Sequence, residues 1–234
     1  MAITTTATGP VPMPDGAAAP VPEATAGLLA LSQWLSPGFP VGAFAYSHGL
    51  EWAIAAGEVT DAAGLGVWIA DVLRFGSGRA DAILLAHALR PGADLAALAE
   101  RALALAASAE RARETCEQGA AFVAATNALT GVVRPDLPYP VAVGAAAAGL
   151  GLAPRLVLAL YLQAFAANLV AAGVRFVPLG QTEGQGVLAG LRPLVEAVAA
   201  EAAEAPLAAI GTAAFGADLA AMRHETMDVR IFRT

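Results

Sequence analysis

Lysine is absent from this sequence, and all 13 basic residues among its 234 are arginine. A phosphate-binding P-loop needs a Gly-Lys pair and Schiff-base catalysis needs a lysine amine, so both chemistries are excluded. Cys116 is the only cysteine, which excludes an internal disulfide and a thiolate zinc cluster. The histidines His48, His87 and His224 are widely separated. We therefore expect no catalytic residue, no bound metal and no cofactor.

Aromatic residues (6%) and charged residues (14%) are also scarce, whereas 57% of the residues are hydrophobic and the mean hydropathy is +0.61. The 61 alanines and the many leucines are strong helix formers, and β-branched residues are sparse. The composition predicts an all-α fold: a single-domain bundle of about ten helices without a sheet.

The net charge of −7 disfavours nucleic acid as a partner, because binding to phosphates needs a basic surface. No arginine precedes Arg74, so the N-terminus lacks the positive region of a secretory signal. The longest proline-free apolar stretch, 156–174, is interrupted by Gln163 and Asn168 and has no basic flank, which favours a core helix over a membrane span. We expect a cytoplasmic protein; a membrane-associated helical protein is an alternative.

Residues 1–23 are rich in Thr, Ala, Pro and Gly and predict a disordered leader ahead of a helical domain over 24–234. Apolar periodicity and helix breakers divide that domain into helices. Among others, helices are expected over about 44–56, 154–172, 181–191, 193–204 and 206–222.

The stretch from Ser36 to Trp52 combines aromatic residues with Pro and Gly, which indicates an irregular backbone of defined shape. Ser47 and His224, with an intervening acid, would have the chain order of a serine hydrolase. A nucleophile elbow needs the strand-to-helix turn of a parallel sheet, which this sequence does not predict. We favour a helix N-terminus, with Ser47 and His48 in its first turns.

Two further segments invite a functional interpretation. In Pro178–Gly186, Gln181 or Thr182 could cap a helix whose glycines allow close helix contact, or the glycines could form a smooth docking surface. Both interpretations stay open. The last residues of the sequence, about 223–234, mix arginines with apolar side chains, so we expect this C-terminal tail to dock on this domain or on another chain. Cys116 is expected to be buried.

These segments together resemble the UreF family of urease accessory proteins over about residues 28–234. The resemblance rests on three motifs in order: SPGFPVGAFAYSHGLE from Ser36, NLV from Asn168 through VPLGQTEGQ ending at Gln185, and RHET from Arg223 with the terminal RIFR. Ala45, Cys116 and Met227-Asp228 depart from the usual pattern of the family.

The resemblance implies an all-α assembly factor for the nickel enzyme urease, without catalytic activity of its own. Its expected partners are UreD (also called UreH), the GTPase UreG and apo-urease, and it is expected to form a homodimer within that complex. The positions carried over as candidate partner-binding residues come from all three motifs. They are Tyr46, Ser47, His48, Glu51, Gly180, Gln181, Glu183, Arg223, His224, Glu225, Arg230, Phe232 and Arg233.

Overall fold

The computed structural model describes residues 23–234, which are mostly helical. Ten α-helices follow one another in this part of the chain: α1 (Glu23–Trp34), α2 (Leu50–Ala55), α3 (Ala62–Phe75), α4 (Ser77–Ala88), α5 (Leu95–Ala104), α6 (Ala109–Thr130), α7 (Tyr139–Ala147), α8 (Pro154–Phe176), α9 (Gln181–Glu204) and α10 (Phe215–His224). Two short 3-10 helices cover Ala43–Ala45 and Leu207–Ala209. No strand occurs among these residues. The predicted all-α, single-domain bundle is confirmed.

The predicted leader, residues 1–23, lies outside the described residues except for Glu23, where α1 begins. The leader and its boundary at residue 24 therefore stay predictions.

Several helices begin where a side chain satisfies the first free backbone N–H groups. Asp61, Asp94 and Ser108 each accept a hydrogen bond from the N–H three residues later, at 2.8, 3.0 and 3.1 Å. These N–H groups have no partner inside the helix, so a capping oxygen fixes where the helix starts. Pro154 occupies the first turn of α8, where its missing N–H costs nothing.

Helix α8 is the centre of the bundle. It packs against α9, which returns along it, and also contacts α2, α3 and α4. Its inward residues Leu158, Leu162 and Leu169 are fully buried. By length and composition α8 is the one helix in residues 23–234 that could cross a membrane. Its packing against four other helices is that of a core helix.

The aromatic residues of the bundle gather around Phe122 of α6, which is completely buried. The ring centroids of Trp34, Phe39 and Tyr139 lie 6.1, 5.7 and 5.7 Å from that of Phe122. Tilted and edge-on contacts of this kind stabilise a core beyond the area they bury. The cluster fastens the irregular segment after α1 to α6 and α7.

The helix predicted over 44–56 is wrong in its first half. A 3-10 helix ends at Ala45, Tyr46 is extended, and His48 and Gly49 have φ angles of +55° and +78° before α2 begins at Leu50. A Cβ on Gly49 would lie 2.5 Å from the backbone N of Ala221, so α10 crosses here at a distance that only glycine allows. Close packing of α10 overrides the helical propensity of this stretch.

Three other helix boundaries also differ from those predicted. Helix α9 continues through Pro193, because Leu191 and Val195 stay buried on the same face and their packing outweighs one lost backbone hydrogen bond. Helix α8 runs on to Phe176. The helix predicted over 206–222 is divided, because Ala213 N–H donates to Phe75 O at 2.7 Å and draws the chain across the end of α3.

Cys116 was expected to be buried, and this is wrong: its side chain is exposed on α6. Its neighbours Glu114 and Thr115 face inward instead. Burial of part of its surface and then the charge of Glu117 raise the pKa of the Cys116 thiol, which disfavours the reactive thiolate.

Gly119 provides a test of the packing of α6. A Cβ at this position would lie 1.9 Å from Leu137 O and 2.8 Å from Tyr139 N, both backbone atoms that cannot move alone. We expect Gly119→Ala to lower the free energy of unfolding by about 2 kcal/mol or more. Urea denaturation followed by circular dichroism measures the change.

Gly186→Ala is the matched control, because nothing lies within 4 Å of a Cβ there in α9. Helix propensity alone should make it neutral or stabilising by up to ~1 kcal/mol. Equal effects of the two substitutions would contradict the close contact at Gly119.

Candidate functional site

The C-terminal tail (residues 223–234) folds back onto its own domain. Its first two residues close α10, and the others cross α2, α6 and the segment before α2 without regular structure. Buried glutamates receive it: Glu51 on α2 and Glu110 and Glu114 on α6 are each at most 6% exposed. In the folded chain the tail thus contacts its own domain, and docking of the tail on another chain stays a prediction.

Glu51 binds the backbone of the tail. Its Oε1 accepts a hydrogen bond from Ile231 N–H at 2.8 Å, and its Oε2 accepts one from Phe232 N–H at 2.9 Å. Charge-assisted bonds to a carboxylate are stronger than neutral ones. A single side chain of α2 thus fixes two successive residues of the tail.

His224 connects Glu51 to Glu110. The ring is completely buried, with Nε2 3.0 Å from Glu51 Oε2 and Nδ1 2.7 Å from Glu110 Oε2. Both ring nitrogens thus have a carboxylate partner. Glu110 Oε1 also binds the Arg230 guanidinium, so the tail contacts Glu110 through two side chains, His224 and Arg230.

The last residue, Thr234, is 1% exposed and sits against Ser47 and His48. Ser47 N–H donates to Thr234 O at 2.9 Å, and the Ser47 hydroxyl donates to the same oxygen. The Thr234 hydroxyl donates to Glu114 Oε2 at 2.9 Å and faces His48 N–H at 3.3 Å. The backbone N–H groups of Ser47 and His48, at the start of the left-handed turn, thus both point at Thr234.

Tyr46 and Arg233 share one partner on α6. The Tyr46 hydroxyl donates to Glu117 Oε2 at 2.6 Å, and Arg233 Nη1 donates to the same oxygen at 2.9 Å. Burial and then the bond to Glu117 raise the pKa of Tyr46 to about 12, so its hydroxyl stays a donor. The Arg233–Glu117 pair itself is largely exposed and contributes little by itself.

Side chains of the tail alternate between the core and solvent. Phe232 is buried, with its ring centroid 5.2 Å from that of Phe176 and the Arg175 guanidinium 5.8 Å away. Val229 and Ile231 point outward and are 77% and 72% exposed. The tail therefore presents apolar side chains to solvent while being held from beneath.

Arg223 and Glu225 flank His224 in different roles. The Arg223 guanidinium stacks over the Trp52 ring at 4.6 Å, at the surface. Glu225 Oε1 accepts a hydrogen bond from Glu110 N–H at 3.0 Å and so satisfies a free N–H of the first turn of α6.

Gly180, Gln181 and Glu183 lie apart from these contacts, in the exposed turn that leads from α8 into the first residues of α9. Glu183 Oε2 accepts a hydrogen bond from Gly180 N–H at 2.9 Å, which caps α9, and neither Gln181 nor Thr182 does so. In the described residues, no hydrogen bond or ion pair joins this turn to the tail. The candidate residues taken from the family resemblance thus fall into two separate groups, one at the tail and one at the start of α9.

A second buried polar cluster lies beneath Thr234. Arg111 and His48 both pair with Glu114. Burial, the largest single effect, raises the pKa of Glu114, but the charges and hydrogen bonds of Arg111 and His48 together lower it to about 2. Burial and then Arg111 lower the pKa of His48, which favours the neutral ring. Burial raises the pKa of Asp81 to about 6, although Arg111 opposes it and Tyr161 donates to Asp81 at 3.1 Å.

The serine hydrolase alternative is wrong. The Ser47 hydroxyl is bound to Thr234 O, and both nitrogens of His224 are engaged by Glu51 and Glu110, so no nucleophile–base pair forms. Residues 23–234 also contain no group of three His, Cys, Asp or Glu side chains placed to hold a metal.

The sequence interpretation missed Glu110, Glu114 and Glu117. They follow one another at intervals of four and three residues, which puts them on one face of α6. The sequence contains this acidic face, but it does not show that the face meets two arginines of the tail. Val229 and Ile231 were missed as well, because only the docked backbone shows which tail side chains point outward.

Comparison with known proteins matches residues 59–192 of the chain to the UreF family model. The chain belongs to the UreF family. The urease accessory protein UreF of a Cereibacter sphaeroides strain is 69% identical over 207 residues, covering 88% of this chain and 98% of that protein. The UreF proteins of a Jannaschia species and of Azorhizobium caulinodans are 56% and 49% identical, each covering at least 88% of this chain and 95% of the relative.

Membership of the UreF family makes this chain an accessory protein with a role in urease maturation, and not an enzyme. The docked tail and the polar cluster beneath it are accordingly interpreted as parts of a binding protein. Their hydrogen bonds fix shape and do not assemble a reaction centre.

Glu51 offers a test of the tail contacts. We expect Glu51→Gln to free the tail, because an amide cannot offer two charged acceptors to Ile231 N–H, Phe232 N–H and His224. Trypsin should then cleave after Arg230 at least about tenfold faster, which corresponds to ~1.4 kcal/mol in the opening equilibrium. Mass spectrometry follows the cleavage. Glu58→Gln, at an exposed glutamate just after α2, should leave the rate unchanged, and equal rates for both variants would contradict the role of Glu51.

Asp81 predicts a pH dependence of stability. Its raised pKa means that the folded chain retains a proton that the unfolded chain has already lost, so this carboxyl destabilises the fold increasingly as pH rises from about 4 through 6. Asp81→Asn should therefore gain stability over the wild type by about 1 kcal/mol between roughly pH 5 and pH 8. Urea denaturation at both pH values measures this; a difference that is constant with pH would contradict it.

Proposed function

We propose that this UreF-family chain is a scaffold for nickel insertion into urease. In this proposal it binds UreD (UreH), recruits the GTPase UreG to apo-urease and couples GTP hydrolysis to nickel delivery. A partner shifts a conformational equilibrium only by binding its states with different affinity. The chain would therefore have to bind one nucleotide state of UreG more tightly than the other.

The observation that carries this proposal is the docked tail with its outward apolar side chains. Val229 and Ile231 are exposed on a backbone that Glu51 holds in place, so their positions are fixed before a partner arrives. A preformed apolar strip saves the ordering cost that a free tail would incur on binding. Arg230 and Arg233 beside it are residues typical of interface anchors.

Helix α10 adds an apolar stripe on the approach to the tail. Phe215, Leu219 and Met222, at positions i, i+4 and i+7, are all exposed. Exposed apolar side chains in such a row are typical of a protein interface. We assign the stripe and the outward side of the tail to UreD.

The carried-over residues then have two different roles in the proposal. The buried ones, among them Glu51, His224 and Phe232, position the tail and do not contact the partner. Arg223, Arg230 and Arg233 are exposed and contact it directly. The exposed turn of Gly180, Gln181 and Glu183 is assigned to a second partner, UreG or the other copy in a homodimer. We place the whole complex in the cytoplasm.

The first experiment is co-expression of the tagged chain with UreD and UreG of the same organism, followed by size exclusion and mass analysis. We expect a complex that contains all three chains in equal amounts and two copies of this one. A chain that elutes alone and ignores both partners would overturn the scaffold proposal.

The outward side of the tail can be tested separately. We expect Val229→Asp with Ile231→Asp to reduce UreD capture at least about tenfold, because two charges replace apolar contacts in the interface. Trypsin resistance of the tail and the circular dichroism spectrum should not change, since both side chains already face solvent. Pull-down at increasing UreD concentration measures the loss.

Val133→Asp is the control, because Val133 is 90% exposed but lies far from the tail, after α6. Phe232→Ala with Arg233→Ala should also weaken capture, but by loosening the tail, and so it should increase tryptic cleavage. Full UreD capture by the Val229 and Ile231 double variant would refute the assignment of this surface.

A further inference from the structure

We propose that the cavity between α6, α8 and the segment before α2 binds a small organic cation: an ammonium group on an apolar body about the size of one ring. The cavity has a volume of about 240 Å³ and reaches the surface beside the exposed residues Phe44 and Arg175. This inference goes beyond the proposed scaffold role and concerns a separate ligand.

The cavity is large enough for such a molecule. Its walls are mainly apolar and include Leu35, Val41 and Phe165, together with alanines on one face of α8. A buried apolar cavity of roughly 150 Å³ suffices to hold benzene in another protein, so about 240 Å³ accepts a six-carbon body and a polar head group.

The charges at the inner end of the cavity select a cation. Two carboxylates (Asp81 and Glu114) and two guanidinium groups (Arg111 and Arg175) line the cavity, but Arg175 lies at the opening. At the inner end the carboxylates outnumber the guanidinium group of Arg111 by one when Asp81 is ionised. Glu114 is already bound to Arg111, Gln118 and Thr234. Within residues 23–234, Asp81 accepts one hydrogen bond, from Tyr161, and has acceptor capacity left.

His48 lies in the same wall with a neutral ring. Its Nε2 lies 2.8 Å from Glu114 Oε1, so the neutral ring carries its proton there and donates to Glu114. Arg111 Nη1, 3.1 Å from the same nitrogen, then donates to Glu114 and not to His48. Nδ1 has no partner in the described residues and almost no accessible surface, so it lies behind the wall and a ligand in the cavity does not reach it. His48 therefore adds no positive charge to the inner end of the cavity.

The backbone of His48 supports a role for this side chain. It is the one residue other than glycine with a positive φ in the described part of the chain, at +55°. Such a conformation costs about 1 kcal/mol or more and is found where function requires it. It brings the ring edge against Phe165, at 4.8 Å between centroids, at the cavity wall.

The aromatic walls agree with a cation as well. Tyr139, Tyr161 and Phe165 all line the cavity, and ring faces attract an ammonium group that has lost its water. A carboxylate head group at the inner end would instead meet Asp81 and Glu114, because Arg111 is already paired with Glu114 and Arg175 lies at the opening. The ligand is organic, because the described residues form no three-residue metal site.

The test is calorimetric titration of the full-length chain at neutral pH with n-hexylammonium, 1-hexanol and hexanoate, which differ mainly in the charge of the head group. We expect hexylammonium to bind at least about tenfold more tightly than hexanol, and hexanoate to bind less tightly than both. Equal binding of all three would show an apolar cavity without charge selection. That result, preference for hexanoate, or no binding would each overturn the proposal.

Two variants localise the binding. Asp81→Asn should lower the affinity for hexylammonium at least about tenfold and leave that for hexanol unchanged; Asp71→Asn, at an exposed carboxylate of α3, should change neither. Ala167→Phe should fill the cavity and abolish both. Unchanged hexylammonium binding in Ala167→Phe would place the ligand elsewhere and refute the site. No maturation partner is present, so failure here leaves the scaffold proposal to its own test.

Discussion

Buried carboxylates that cannot remain unpaired hold this molecule together at its functional end. Glu51, Glu110 and Glu114 are almost completely enclosed. The carboxylates of Glu51 and Glu110 take their partners from the tail, and that of Glu114 binds Thr234 of the tail as well as His48, Arg111 and Gln118. Removing one partner of a buried ion pair costs far more than the pair itself contributes. The stability of the domain therefore depends on the docked tail, and the conformation of the tail depends on the domain. His224 links the two by contacting both Glu51 and Glu110.

Some residues hold the tail in its conformation, whereas others form the surface that the tail exposes to solvent. Glu51, His224 and Phe232 are fixed by contacts inside the chain, whereas Val229 and Ile231 owe their exposure to those same contacts. A motif in a sequence records both kinds without distinction. The distinction matters for mutagenesis. A change at a buried position alters the conformation of the tail, so any loss of partner binding that it causes reports on that conformation and not on a direct contact with a partner.

The fold could be predicted from the sequence where local chemistry decides it. The helix starts at Asp61 and Asp94 follow from capping, and the all-α class follows from composition. The predictions fail where residues distant in the sequence determine the backbone. Close packing of α10 imposes the turn at Gly49, and the burial of one face of α9 keeps that helix continuous through Pro193.

The candidate site divides in the same way. The sequence predicts that the tail docks, on this domain or on another chain. It could not indicate that Glu110 and Glu114 receive the tail, because that requires knowing which face of α6 meets α2 and α10. Cys116 follows the buried Thr115 directly but is turned toward solvent on α6, and its burial was misjudged for the same reason.

The docked tail also has a consequence for the order of events during folding. Glu51 and Phe232 are bonded across 181 positions, and Ser47 and Thr234 across 187. Contacts between such distant positions close a very large loop and form late. On the ribosome, the pocket that holds the tail is filled only after residues 230–234 have emerged, so until then its glutamates remain open to water and to other proteins.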